Sequence, residues 1–312
     1  MKYLVDDNIL VLGKGTATFG SMLTDFESPL QATVIDRLEA SGATLVEDED
    51  ISFRLGVDTD GTFRKIASEN KEFSFKPSYG TISRYGIVAM VSSMDTINIS
   101  AKSIDDIQSV YDIIAGSDGK DSTLLINNQQ VSKSVSQQIK VSLVKEFAGE
   151  FNDETYEKVS FSMAKYILPI YHTLMPAEVY SNMMQYDAIR YGKRSESAKT
   201  LEEIYALSRS EGINDETKLN IIMGCYVLSS GVFETYYLQA AKARTMLISE
   251  FNKLFKKYDF LIGSVSSDIM SIAVSLAGLP ALSLPNGKQI IAPLNKDVEL
   301  LSFIKTLEGE IK

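Results

Sequence analysis

The chain has 312 residues, 45% of them apolar and 23% charged, which is enough to bury the core of a soluble globular protein. Its net charge of −10 is the wrong sign for a broad nucleic-acid surface, because nonspecific affinity comes from Lys and Arg neutralising phosphates. One cysteine, Cys225, and one histidine, His172, exclude a disulfide framework, a thiolate metal cluster and a multi-histidine metal site, so no cofactor is expected.

In chain order, the start MKYLVDDNIL puts acids where a signal peptide needs an apolar core, which predicts a cytoplasmic location. Leu4 to Leu12 reads as a strand and its turn. Gln31 to Ser41 reads as a helix with Val34, Ile35 and Leu38 on one face and Gly42 as its stop. Ser103 caps a helix running through Ala115, with Asp106 three residues on and an apolar stripe of Ile104, Ile107, Tyr111 and Ile114. The polar stretch Ser117 to Gln138 predicts a surface loop. Ile139 to Val144 is a strand candidate, and a strand-like run ends at Tyr171. A long helical half runs from about Met175 to Lys257, with breaks near Gly192 and Gly212. Strands at Tyr258 to Gly263, Ala281 to Leu284 and Gln289 to Ala292 precede a helix over Val298 to Leu307. The most apolar stretch, Ile269 to Leu284, holds Pro280 and several serines and is too short to span a bilayer. Strands alternating with helices predict an α/β fold, a mixed twisted β-sheet covered by helices on both faces, in one domain over residues 1–312.

The segment FKPSYGTISRYGIVAMVSSMDTI, Phe75 to Ile97, resembles a segment of the amidase signature family, in particular of the A-type subunits of its tRNA-dependent amidotransferases. VDDNILVLGKGTATFGSML, QATVIDRLEASGATLV, MQYDAIRYGKRSE, YDFLIGS and IAVSLAGLPALSLPNG resemble further family segments in the same order. The resemblance implies the amidase-signature fold and a Ser–cis-Ser–Lys triad. In that chemistry a neutral lysine draws a proton through a bridging serine from the nucleophilic serine, and a glycine-rich turn holds the oxyanion.

Compared with that pattern, required parts are missing. Asp6 of VDDNI matches the family's lysine, and a carboxylate near its ordinary pKa is a poor base toward a hydroxyl. The bridging serine lies in a Gly/Ser-rich segment, whereas here LVEDED runs straight into ISFRLGVDTDG. Thr62 matches the nucleophile, and Thr59, Asp60 and Gly61 match the oxyanion turn, with an acid where the family has glycine. Asp58 and Arg64 match positions that brace this turn, and Lys76 and Pro77 match scaffold. Asp268 matches the aspartate that binds a substrate amino group, and as a helix N-cap it has a structural use too. The stretch Glu216 to Gly224 lacks the arginine that would grip a glutamine carboxylate. Relative to the family the chain also reads as trimmed at its N-terminus.

Three readings stay open. The chain is an inactive amidase-fold protein that binds a partner subunit or a small amide or amino acid. Alternatively it is a divergent glutamine amidohydrolase rewired through Asp6, Thr62 and Lys14 that supports Gln-tRNA(Gln) formation. The third is a structural assembly module. The resemblance implies B- and C-type amidotransferase subunits as partners, with a homo-oligomer as the alternative, and neither membrane nor direct nucleic-acid binding. The ordinary roles of the remaining residues are a core position for Cys225, a hydrogen-bonded His172 and helix packing at Tyr236 and Tyr237.

Overall fold

The computed structural model describes residues 1–311 apart from 25, 48–49, 126–138, 150 and 152. Its strands are β1 (Lys2–Val5), β2 (Thr44–Leu45), β3 (Phe53–Asp58), β4 (Phe73–Lys76), β5 (Thr96–Ala101), β6 (Val141–Val144), β7 (Glu157–Val159), β8 (Phe260–Ser264), β9 (Ala281–Ser283) and β10 (Lys288–Ile291). Its helices are α1 (Thr33–Ala40), α2 (Thr62–Glu69), α3 (Ile104–Ile114), α4 (Ala164–Met183), α5 (Leu201–Gly212), α6 (Asp215–Val227), α7 (Tyr237–Leu254), α8 (Asp268–Ala277) and α9 (Asp297–Ile311).

The described strands form one sheet in the order β2-β1-β3-β5-β4-β9-β10-β8-β6-β7. Pairing is parallel toward both edges and antiparallel from β3 through β10 to β8, so the sheet is mixed. Side chains alternate faces along each strand. Phe53, Leu55, Phe73, Phe75, Ile97 and Ile99 pack with α1, α3 and α9 in one apolar cluster. Leu261, Ala281 and Ile291 turn the other way, toward the cluster built from α4, α7 and α8.

Four of the intervening residues of β3, β4 and β5 are polar and still buried: Asp58, Ser74, Lys76 and Asn98 are each at most 1% exposed. They form a polar floor that α2 covers. Alternation in a sequence usually signals a solvated outer face. Here the outer face is roofed, which is why the same pattern lies in the middle of the protein.

The Ser103 cap forms as the spacing predicts, its hydroxyl accepting from the Asp106 amide. The long helical half divides at Gly212, and a further break lies at 228–236. The strand-like run ending at Tyr171 is instead part of α4. That helix carries Pro169 and Pro176 in its interior and packs along α6, α7 and α8. Tertiary packing outweighs the local cost of the prolines. Of the expected loop at 117–138, the part up to 125 is turns organised by Asp118 and Asp121, and 126–138 lies outside the described residues. Among the described residues no helix is long and apolar enough to cross a membrane.

Candidate functional site

The turn between β3 and α2 is built from its acids. Asp58, the last residue of β3, accepts from the Gly61 amide through Oδ1 (2.8 Å) and from Arg64 Nε through Oδ2 (2.7 Å). Arg64 lies on the first turn of α2 and is fully buried. Its guanidinium also donates to Gln289 Oε1, to the Ser271 carbonyl and to Ser275 Oγ, and Asn98 Nδ2 donates to Asp58 Oδ2. Burial alone would raise the Asp58 pKa. The charge and hydrogen bonds of Arg64, the Lys76 charge and the Gly61 amide outweigh it and hold the carboxyl below its usual range.

Lys76, beneath the same turn, donates to the Leu279 carbonyl at 2.9 Å. Burial, aided by the Arg64 charge, brings its pKa down to about 7. A lysine with that pKa is chemically competent as a base, yet it is fully buried and does not line the cavity described below.

Gly61 caps α2 at φ +100°. A Cβ there would sit 2.2 Å from Ser271 Cβ, so the turn can press against α8 only with glycine at this position. Asp60 then bends over the start of α2, where its Oδ1 accepts from the Thr62 amide at 3.0 Å. The Tyr171 hydroxyl lies near the same carboxylate, and burial together with the Asp60 charge raises the Tyr171 pKa. Thr59 donates from Oγ1 to the buried Asp95 at 2.7 Å.

Asp60, Gly61, Thr62 and Asp268 face one cavity of about 880 Å³ between α2, α4 and α8. Tyr171, His172, Lys65, Glu69, Ser267 and Ser271 complete its polar lining. Asp268 is the first residue of α8, but the cap is Ser267, whose hydroxyl accepts from the Met270 amide; Asp268 instead pairs with Lys65 at 3.5 Å. Sequence reasoning did not find Lys65, Tyr171 or Ser271 as lining residues. Lys65 carries a legible signal, since Thr62, Lys65, Ile66 and Glu69 share one helical face.

Asp6 lies elsewhere. It follows β1, its amide donates to the Leu55 carbonyl, and its carboxylate crowds the Cα of Gly56 beside the Phe63 ring. It lines a separate cavity of about 480 Å³ with Arg54, Phe63 and Asn70, which Thr62 does not line. Burial raises its pKa to about 6, opposed by Arg54 and aided by Asp7. Lys14 is exposed and paired with Glu47 at 3.2 Å.

Two other placements differ from the ordinary roles. Cys225 is exposed, because α6 turns Thr217, Asn220, Gly224 and Val227 inward instead. His172 is exposed on α4, edge-on to Tyr171 at 5.2 Å. Tyr237 stacks on Phe233 at 5.0 Å, while Tyr236 is 50% exposed.

The family model described as Amidase matches residues 50–269. The A-type subunit of a glutamyl-tRNA(Gln) amidotransferase from Streptococcus uberis is 35% identical over 286 residues, covering 78% of this chain and 59% of that protein's length. Its counterpart from Lactobacillus delbrueckii subsp. bulgaricus is 30% identical over 369 residues, covering 91% of this chain and 76% of that protein. That alignment is longer than the 312-residue chain, so the relative holds segments for which this chain has no residues. A crystal structure of the same type of glutamyl-tRNA(Gln) amidotransferase subunit from Thermotoga maritima shares the fold, with a TM-score of 0.75 over 99% of this chain and 82% of the other, at 23% identity.

Proposed function

The chain belongs to the amidase family, and from that premise we propose that it binds rather than hydrolyses. The observation that carries this reading is the hydrogen bond from the Thr62 amide to Asp60 Oδ1 at 3.0 Å. Acyl transfer needs free backbone donors aimed at the oxygen that becomes negative. A carboxylate already sits on this donor, and its charge opposes a second anion beside it.

The proton route supports the same reading. No described hydrogen bond joins Thr62 to Asp6, and the two residues line different cavities. An alcohol without a base in reach stays protonated at neutral pH. The rewired alternative, with Asp6 or Lys14 serving Thr62, has no geometric support in these positions.

The retained cavity beside Thr62 is then a ligand pocket, and the chain acts in the cytoplasm by holding a small ligand or a B- or C-type partner subunit. The relatives' names as amidotransferase subunits motivate the partner.

The test is ammonia release from glutamine, asparagine and simple amides, with wild type and Thr62→Ala compared. Both are expected to stay at the buffer rate. Turnover that disappears in Thr62→Ala would overturn the reading. Co-purification with B- and C-type subunits tests the partner.

A further inference from the structure

Helix α6 carries its apolar stripe on the outside. Thr217, Asn220, Gly224 and Val227 face inward. There α4 runs so close that a Cβ at Gly224 would lie 2.0 Å from the Pro176 carbonyl oxygen, which leaves no room for bulk beneath the helix. The large residues point outward: Leu219 is 58% exposed, Ile222 67%, Met223 38% and Tyr226 58%. Their spacing of three and four residues sets them on one face. Tyr236, 50% exposed just before α7, extends that face, its ring centroid 6.3 Å from that of Tyr226. A stripe of this kind normally turns to the core. Turned to solvent, it marks a surface that another molecule covers.

The patch has the size of an interface. An aromatic residue presents about 150–250 Å² and an aliphatic one somewhat less, so five such side chains at about half exposure leave on the order of 500 Å² uncovered. A stable interface buries about 800 Å² on each partner, part of it polar rim.

The charges select the occupant. At a net charge of −10, two copies of the chain repel over most of their surface. From Leu219 to Phe233 the sequence holds no charged residue, although 23% of the chain is charged. The flanking acids are Asp215 and Glu216 at one end and Glu234 at the other, and Lys218 is tied to Asp215 at 3.1 Å. A basic partner would find no carboxylate within the strip, whereas a second acidic copy finds a face without opposed charges. Helices crossing at about 50° touch over their central turns and diverge at their ends. Ile222 and Met223 then pack together while the flanking acids stay apart.

We propose that α6 forms a two-fold interface with the same helix of a second copy of this chain, centred on Ile222 and Met223. An isologous contact uses one patch twice, so a single neutral face suffices. None of the five exposed residues lines the cavity beside Thr62, so the inference stands apart from the question of catalysis.

Sedimentation equilibrium of the purified chain tests it. The wild type is expected to pass from 34.5 kDa to twice that mass at micromolar concentrations. Ile222→Glu and Tyr226→Asp are each expected to raise the dissociation constant at least hundredfold. Leu12→Glu, at a position 59% exposed outside α6, is expected to leave it unchanged. Cys225, the only cysteine, is exposed on the same helix. A bismaleimide is therefore expected to link two copies of the wild type, but not of Ile222→Glu or Cys225→Ser. Two separate interface variants keep the test decisive where one perturbs folding, which far-UV circular dichroism reads. A wild type that stays monomeric, a dimer that survives both interface variants, or equal weakening by Leu12→Glu would each overturn the proposal. So would a chain that is monomeric alone and binds a B- or C-type subunit through Ile222, which would give the face to that partner instead.

Discussion

Arg64 Nε donates to Asp58 Oδ2 across 2.7 Å, and neither side chain reaches solvent. Removing one member of a buried pair leaves the other charge stranded, at a cost of about 3–5 kcal/mol. Arg64→Met is therefore expected to lower the free energy of unfolding by that amount, read from the urea midpoint. A loss below about 1 kcal/mol would mean that the pair does not anchor the turn.

The Asp60–Thr62 contact gives an expectation about rescue. Asp60→Gly frees the Thr62 amide but supplies no base, and Asp6 still lines another cavity. Glutamine hydrolysis by Asp60→Gly, and by the double variant with Thr62→Ser, is expected to stay at background. An ammonia burst from either variant would show that the missing base is present after all.

Asp6 links stability to pH. Burial lifts its pKa from 3.8 to about 6, so between those values the folded chain binds more protons than the unfolded one. Stability from this group is complete below about pH 4 and is lost as pH rises through about 6. Asp6→Asn removes the charge and is expected to stabilise the protein by about 1–2 kcal/mol at about pH 7–8. At about pH 4 the two proteins should melt together. Equal melting temperatures at both pH values would contradict the assignment.

Gly61→Ala meets two obstacles at once: φ of +100°, and a Cβ only 2.2 Å from Ser271 Cβ. A loss of about 2–4 kcal/mol is expected from strain plus forced displacement of α8. Gly42, also at positive φ but with open space around it, serves as the control. Gly42→Ala should cost about 1 kcal/mol, from the backbone alone. Equal losses at the two positions would argue against close contact between the turn and α8.

Local chemistry made several features legible in the sequence: the Ser103 cap, the inward face of α1, the strands β8, β9 and β10, and the family motifs around Thr62. Each depends on neighbours within one turn or one strand, so the linear pattern carries it. Long-range placement decided the rest. The motif match places Asp58 as a brace and Lys76 as scaffold, but only the tertiary structure gathers them with Ser74 and Asn98 into a buried polar floor. The segment around Tyr171 reads as a strand until α6 and α7 hold it as a helix in spite of two prolines. Asp6 and Thr62 sit at matching motif positions, yet Phe63 and Gly56 direct the Asp6 carboxylate into a different cavity. Sequence determines which groups are available. Packing across dozens of residues determines which of them meet, because a carboxylate acts as a base only on the proton it can reach.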